Sequence, residues 1–418
     1  MTNSESTTTL SSDSTIDVFG NVKLRVADDE AVLRYYPFVM RTEPGTYEVR
    51  GSVAGNDTSN WNSTTFAGFF YDIDDNLGTE TLTITAGPGP DYRSVGKSNI
   101  TYNTTGQKKM LKVVDAKYND SGTEAAAKGL EQFDKMADTS GYYTIIGWMA
   151  EKYVAIKKQP NKLSKLMVEH GTSSAEKKTL TVGETWEIGG GYTLTANSID
   201  AKASPRQVWL TLSKDGVKKD DKVVTSGGAD SQPIYTYVEK SLCGETDVPI
   251  FVTYVDSVFA GATTDMVQFR YTWLINPTCT EVKSSDTFGI MKVTSTSGKL
   301  ELTNSESTTT LSSDSTIDVF GNVKLRVADD SDALRYYPFV EYVIEGEGVT
   351  PTGTPTATVV GTPTNVTVTT PTVTETIAAQ PVTATPTPTK TKEEPGFEAV
   401  FAIAGLLAVA FLVLRQKK

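Results

Sequence analysis

The sequence predicts an all-β fold, organised as two β-sandwich domains joined by connecting strands. Three observations support this class. Apolar and polar residues alternate along many short segments, turn residues separate those segments, and only one segment has helical periodicity. The clearest alternation is in MVQFRYTWLI, where the residues expected on one strand face are Val267, Phe269, Tyr271, Trp273 and Ile275.

Turn residues divide the alternating segments into predicted hairpins. A Gly-Gly-Gly turn at 189–191 separates two strands, and Asp215-Gly216 is a two-residue hairpin signal. The one predicted helix lies near Thr123–Ala137, where Leu130 and Phe133 fall on one apolar face.

The chain contains a long exact repeat. Residues 2–29 recur unchanged as residues 303–330, and LRYYPFV follows in both copies. We call residues 1–39 the first tail and residues 302–340 the second tail. Each tail predicts one hairpin and one further strand. The offset is far too large for a short stacked repeat, so it indicates duplication of a large module.

The simplest interpretation is that the first tail closes an earlier module. The chain would then carry one whole module that ends in the same tail, and an upstream module and secretion signal would be missing. A true start at Met1 with a copied hairpin is the alternative. The predicted segments after the first tail are a first sandwich, a second sandwich, connecting strands that complete the first sandwich, a stalk and a C-terminal signal, at 40–177, 178–285, 286–348, 349–394 and 395–418.

The C-terminal end has two distinct compositions. Residues 349–394 are mostly Thr, Pro, Val and Ala without an aromatic residue, which predicts a disordered, O-glycosylated stalk rather than a core. Ala399–Leu414 is an uncharged apolar run, which predicts a transmembrane helix. Basic residues follow it, so the positive-inside rule places the C-terminus in the cytoplasm. Residues 1–348, which we call the body, would then lie outside the cell.

Other features agree with an extracellular body. Six N-x-S/T sequons are candidate glycosylation sites, at Asn56, Asn62, Asn99, Asn103, Asn119 and Asn365. Cys243 and Cys279 are the only cysteines and would pair as a disulfide in an oxidising compartment, with two buried thiols as the alternative. The net charge of −12 argues against nucleic acid as a partner.

The search for catalytic chemistry is mostly negative. The single histidine, His170, has no recognisable triad motif around it, so we expect no catalytic residue and no cofactor. Asp72, Asp74 and Asn76 alternate as calcium ligands do in some loops. A structural divalent cation could bind there, but a polar strand end and turn is the favoured interpretation, since the glycine spacing departs from an EF-hand.

Several stretches resemble the tandem-duplicated S-layer proteins of Methanosarcina-type archaea. They are FFYDIDDNLGTETL, GYYTIIGWMAEKYVAI, KKTLTVGETWEIGGGYTLTANSIDAK, PIFVTYVDSVFAG and VQFRYTWLI. The likeness covers about residues 45–345. Pro395, Gly396 and Phe397, before a short apolar run and a basic tail, resemble the archaeal PGF-type C-terminal sorting signal.

The resemblance implies a structural role. Members of this family tile into a porous coat with acidic pores, and the PGF signal implies processing by an archaeosortase and a lipid anchor. The implied partners are other copies of the chain, the membrane and that processing enzyme. A membrane-anchored adhesin or receptor is the competing class, distinguished by abundance and self-assembly. An extracellular glycan hydrolase would need a cleft with two carboxylates, which nothing in the sequence selects.

Overall fold

The computed structural model describes residues 7–29, 31–87, 92–114, 130–138, 141–170, 177–227 and 232–345. This part of the chain is all-β, as predicted, with 29 strands and only short helical turns. No helix in these ranges is long and apolar enough to cross a membrane. The predicted stalk, transmembrane helix and sorting signal lie outside the described residues.

The strands form seven sheets, and every pairing between them is antiparallel. The first tail forms a three-stranded sheet of β1 (Thr15–Phe19), β2 (Val22–Val26) and β3 (Tyr35–Val39). The second tail forms a four-stranded sheet of β27 (Thr316–Phe320), β28 (Val323–Val327), β29 (Tyr336–Ile344) and β4 (Gly45–Arg50).

Two larger sheets contain strands from distant parts of the sequence. A six-stranded sheet has the order β23 (Thr287–Phe288), β24 (Met291–Ser295), β25 (Leu300–Thr303), β10 (Ile100–Thr104), β8 (Glu80–Ile84) and β5 (Ser59–Asn62). An eight-stranded sheet contains β11 (Gln107–Met110), β12 (Tyr142–Trp148), β13 (Glu151–Ala155), β14 (Lys162–His170), β22 (Asp265–Glu281), β21 (Glu245–Ala260) and β20 (Ile234–Leu242), with β15 (Lys178–Thr181) paired to β22.

The remaining elements are small. A second four-stranded sheet runs β16 (Thr185–Gly189), β17 (Tyr192–Asp200), β18 (Arg206–Lys214) and β19 (Val217–Ser226). Two two-stranded ladders join β26 (Thr309–Thr310) to β9 (Ser94–Val95) and β6 (Tyr71–Asp72) to β7 (Leu77–Gly78). The helical turns are Lys112–Val114, Glu131–Phe133, Asp134–Ala137 and Ile156–Lys158.

Two hydrophobic cores are present, and β12 contributes to both. Tyr143 and Ile145 are buried in the larger core, with residues of the eight-stranded sheet and of β16–β19. Ile146 and Trp148 are buried in the smaller core, with residues of the six-stranded sheet and of the second tail. Because alternate side chains point to opposite faces of a strand, one strand can serve two cores only if both of its faces are covered.

The predicted domain boundary at residue 178 stays a prediction. Strands β11 to β14, which precede it, pair within the eight-stranded sheet of the larger core. They join that sheet through long-range pairing of β14 with β22, which no local pattern encodes. The strands after residue 286 complete sheets that begin with β4, β5, β8 and β10.

The predicted hairpins are present. β16 and β17 meet at the glycine turn, where Gly190 and Gly191 have positive φ, and β18 and β19 meet at Asp215-Gly216. The predicted helix lies partly outside the described residues. In its described part, Leu130 and Phe133 are buried, and the short helix Asp134–Ala137 is followed by Asp138 in the left-handed conformation.

Candidate assembly junction: an acidic hairpin between the first tail and the body

The hairpin of β6 and β7 connects the first tail to the larger sheets. We call residues 71–78 the acidic hairpin, because its turn reads Asp72-Ile73-Asp74-Asp75. The Asp72 carboxylate accepts hydrogen bonds from the backbone N–H groups of Asp74 (3.1 Å) and Asp75 (3.3 Å). Such bonds from an aspartate to the chain just ahead of it fix a tight turn. The turn is therefore built by its own first carboxylate.

One side of the acidic hairpin holds a buried lysine. The Lys109 side chain, on β11, is 5% exposed and forms an ion pair with Asp72. Its ammonium is also 3.2 Å from Asp75 and 3.8 Å from the Glu169 carboxylate on β14. A charge can stay buried only when it is paired and hydrogen-bonded, so this lysine joins the hairpin to the eight-stranded sheet.

The protonation states of this cluster follow from its geometry. Burial acts to lower the pKa of Lys109, but the neighbouring carboxylates Glu169 and Asp72 outweigh burial and raise it. Burial acts to raise the pKa of Asp72, and the Lys109 ammonium outweighs it, so that pKa is lowered. The Tyr143 and Tyr271 hydroxyls donate to Glu169, at 3.0 and 3.4 Å. The Lys109–Asp72 pair is therefore an ion pair, and two tyrosine hydroxyls hold the neighbouring Glu169.

The other side of the acidic hairpin holds the first tail. The Arg34 guanidinium donates to the backbone carbonyls of Ile73 (2.9 Å) and Asp74 (2.6 Å). The backbone N–H of Asp28 donates to the Asp74 carboxylate at 2.8 Å, and Arg25 lies 3.8 Å from that carboxylate. Hydrogen bonds that involve a charged group are about twice as strong as neutral ones. The acidic hairpin is therefore held by Lys109 on one side and by residues of the first tail on the other.

The predicted cation ligands do not converge in this structure. Asp72 contacts Lys109, Asp74 accepts from Asp28, and the Asn76 side-chain oxygen accepts from the Tyr71 hydroxyl at 2.9 Å. Within the described ranges, no group of three or more His, Cys, Asp or Glu side chains is arranged to hold a metal ion. The cation site stays a prediction, and the geometry favours the polar turn.

A second buried carboxylate lies next to the acidic hairpin. Glu80, at the start of β8, accepts hydrogen bonds from the Tyr102 hydroxyl (2.9 Å) and from the backbone N–H groups of Ala150 (2.9 Å) and Phe70 (3.0 Å). Burial raises the pKa of Glu80 to about 7, against the opposing effect of those donors. Glu80 was not predicted as a site residue, because a Glu that begins an alternating strand resembles one that faces solvent.

The other predicted sites are distributed over the body. Cys243 and Cys279 are joined as a disulfide with their Cα atoms 5.6 Å apart, which links the β20–β21 turn to β22. Asn56 is exposed, Asn62 caps a turn by accepting from the Thr64 N–H at 2.9 Å, and Asn103 accepts from Lys299 at 3.2 Å. Glycosylation at these sequons stays a prediction.

Some predicted residues carry less information. Asn99 is partly buried, and His170 ends β14 with its ring centroid 5.6 Å from that of Trp186. Asn119 and Asn365 lie outside the described residues, as do Pro395, Gly396 and Phe397.

The contacts of Arg25 and Arg34 with the acidic hairpin were not predicted. The only sequence signal was that Arg25 and Arg34 recur in the second tail, as Arg326 and Arg335.

Comparison with known proteins identifies the family. The sequence matches the family described as S-layer protein over residues 50–329, and the PGF-CTERM motif over residues 394–416.

Curated relatives agree with this match. The Major S-layer protein of Methanosarcina acetivorans is 35% identical over 423 residues, which is 99% of this chain and 59% of the relative. Those of Methanosarcina barkeri (34% identical over 347 residues) and Methanosarcina mazei (33% over 349) each align with 82% of this chain. The alignments span 47% and 48% of those two relatives, so the chain spans about half of their length. The predicted resemblance is confirmed: the chain belongs to the archaeal S-layer protein family and carries a PGF-type C-terminal signal.

Proposed function

We propose that the chain is a structural subunit of a surface layer, which self-assembles into a porous two-dimensional coat on the outside of an archaeal cell. The observation that supports this most is the match to the S-layer family across residues 50–329, a range that contains the larger hydrophobic core and most of the smaller one. The relatives that the chain resembles are each called a Major S-layer protein.

The fold suits a subunit that must resist mechanical force within a layer. Every sheet pairs strands in antiparallel ladders, and the second tail returns to pair β29 with β4 near the start of the body. The disulfide closes a loop with a sequence separation of 36 residues. In the described part of the chain, the buried carboxylates Asp72, Glu80 and Glu169 are held by protein donors, which is a structural arrangement rather than a catalytic one.

We propose that the coat is tethered through the C-terminal signal. The PGF-CTERM match at 394–416 supports processing by an archaeosortase-type enzyme and anchoring in the membrane. Before processing, the apolar run 399–414 would span the membrane and the basic residues after it would face the cytoplasm. The Thr/Pro-rich stalk at 349–394 could reach roughly 140 Å at about 3.1 Å per residue, and so would set the distance between coat and lipid.

We also propose that pores in this coat act as a sieve that favours cations. The net charge of −12 supports this, because an acidic rim attracts cations and repels anions. Flux of matched cationic and anionic dyes of equal size through a reconstituted coat tests it. Faster passage of the cation, with the difference lost in high salt, is expected. Equal passage at low salt would remove the charge-selection proposal.

Electron microscopy of the full chain, anchored on a lipid monolayer, tests the coat itself. Ordered arrays at high surface coverage are expected, because an interface that does not close on itself propagates into an open assembly. Dispersed particles that remain disordered at saturating coverage would instead favour a membrane-anchored adhesin or receptor, which needs no contact with its own copies.

A further inference from the structure

The two tails carry the same residues, and among the residues that the structure describes only the first tail holds an acidic hairpin. In the first tail, Arg34, Arg25 and the Asp28 N–H hold the acidic hairpin of the same chain. The exact repeat places Arg335, Arg326 and Asp329 at the matching positions of the second tail. The residues with which the first tail binds the acidic hairpin are therefore repeated in the second tail.

The second tail already holds the conformation that binds the hairpin. Arg34 donates to Asp29 at 2.8 Å, and Arg335 donates to Asp330 at 2.7 Å. The next carboxylate is fixed in the same way in both copies, because Ser12 contacts Asp28 at 3.1 Å and Ser313 contacts Asp329 at 3.2 Å. Arg335 and Asp329 therefore already have the positions that their counterparts use to hold the hairpin.

The second surface is open at Arg335, whereas Arg326 lies 3.4 Å from the Glu48 carboxylate on β4. The Arg34 side chain is 18% exposed beneath the hairpin, whereas the Arg335 side chain is 55% exposed. Among the residues that the structure describes, the Arg335 guanidinium hydrogen-bonds only to Asp330. A cavity of about 370 Å³ lies beside it, and its lining includes Arg326, Asp329, Tyr336 and Tyr337. A cationic donor next to a concave surface fits an acidic turn with exposed carbonyls.

We propose that the second tail binds the acidic hairpin of a second copy of this chain, in the geometry that the first tail shows within one chain. Arg335 donates to the backbone carbonyls of Ile73 and Asp74 of that copy. The Asp329 N–H donates to the Asp74 carboxylate. The contact is heterologous, since it joins two different faces of the same protein, and it extends copies head to tail. This inference rests on the proposed role as a coat subunit.

The contact requires the acidic hairpin to exchange one tail for another. The two tails have the same residues at the contact, so the exchange replaces like bonds by like bonds. The fraction of acidic hairpins bound to each tail then depends on concentration. The chain's own first tail binds with a fixed effective concentration, whereas a neighbour's second tail binds at a concentration set by the surface density of the protein. A tightly packed layer therefore favours the exchange, whereas dilute protein keeps each hairpin on its own first tail.

Cysteine cross-linking in the full chain, anchored on lipid at high coverage, tests the contact. The pair Asp74→Cys with Asp329→Cys should give a reducible ladder of dimers and larger oligomers. The pair Asp74→Cys with Asp28→Cys is the positive control and, in dilute protein, should give a monomer with an internal cross-link. The pair Asp74→Cys with Lys218→Cys is the matched negative control, because Lys218 is exposed on β19, whose sheet contains no strand of either tail.

Two further variants connect the ladder to the arginines. Arg335→Gln in the ladder-forming chain should reduce its yield about tenfold, since it removes two charge-assisted hydrogen bonds. Arg34→Gln should raise the yield several-fold, because it releases the hairpin from the first tail. An unchanged yield in either variant would overturn the proposed geometry.

The outcomes separate this contact from the coat itself. A ladder that depends on Arg335 supports the contact. Ordered arrays without a ladder, when the positive control cross-links fully, overturn the contact and leave the coat standing. A ladder without two-dimensional order supports the contact and counts against the coat.

Discussion

The rings of Tyr102 and Phe320 pack with their centroids 4.5 Å apart, and this contact joins β10 of the body to the second tail. Phe19 occupies the same position in the first tail. Phe320 is 1% exposed and Phe19 is 54% exposed, although the surrounding sequence is identical. Both copies nevertheless form the same hairpin in the same register. The local sequence therefore fixes the hairpin, and tertiary packing decides what the apolar face does.

Substitution of these two phenylalanines provides a matched comparison. We expect Phe320→Ala to lower the free energy of unfolding by about 3–5 kcal/mol, because it leaves a cavity beside Tyr102. Phe19→Ala should change it by less than about 0.5 kcal/mol in the isolated chain. Chemical denaturation of both variants measures the difference. A loss for Phe320→Ala as small as that for Phe19→Ala would show that the second tail is not part of the core.

Removal of the buried lysine should weaken the acidic hairpin. Lys109→Met leaves Asp72 and Glu169 buried without their cation, so we expect a loss of about 3–5 kcal/mol. Lys165→Met is the control, because Lys165 is 56% exposed and pairs with Glu151 at the surface. An exposed pair contributes at most about 1 kcal/mol. Equal unfolding midpoints for the two variants would contradict the structural role of Lys109.

Glu80 should make stability fall as the pH rises through neutrality. Burial raises the pKa of this carboxyl from 4.5 to about 7, so the folded protein binds a proton that the unfolded chain has released. The stabilisation is complete below pH 4.5 and is lost as the pH rises through 7, with a total of about 3 kcal/mol.

Glu80→Gln isolates this effect from the other titrating groups. The free energy of unfolding, measured from pH 4 to 8, should decline more steeply in the natural protein than in the variant. Parallel pH profiles would show that Glu80 does not titrate in this range.

The disulfide should stabilise the larger core. Its sequence separation of 36 residues predicts a loss of about 4 kcal/mol when both cysteines are replaced by alanine, from the entropy of the unfolded chain. A reducing agent should lower the unfolding midpoint of the natural protein to that of the double variant and leave the variant unchanged. A natural protein insensitive to reduction under unfolding conditions would contradict this role.

Alternation in the sequence located the strands but not their partners. Along β22, the predicted face of Val267, Phe269 and Tyr271 is buried. Alternation places Arg270 on the opposite face, yet it is also buried, with its guanidinium 4.0 Å from the centroid of the Tyr254 ring and 3.5 Å from Asp256. The strand lies inside a broad sheet, and only pairing with β14 and β21 puts it there.

The candidate junction was predictable only in part. The run of aspartates marked residues 72–75 as a polar turn, with an external cation as the alternative. The structure supplies Lys109, which lies 37 residues away from Asp72, and Arg34 from the first tail. Charge complementarity between distant segments has no local signature, whereas the exact repeat could be read directly and predicts the second arginine surface.

Electron cryo-tomography of intact envelopes from cells that produce this chain tests the central claim most directly. The account predicts a continuous lattice whose averaged repeat fits the two-core body, held above the membrane at a distance no greater than the stalk allows. Isolated particles scattered over a surface that is covered by some other lattice would contradict it.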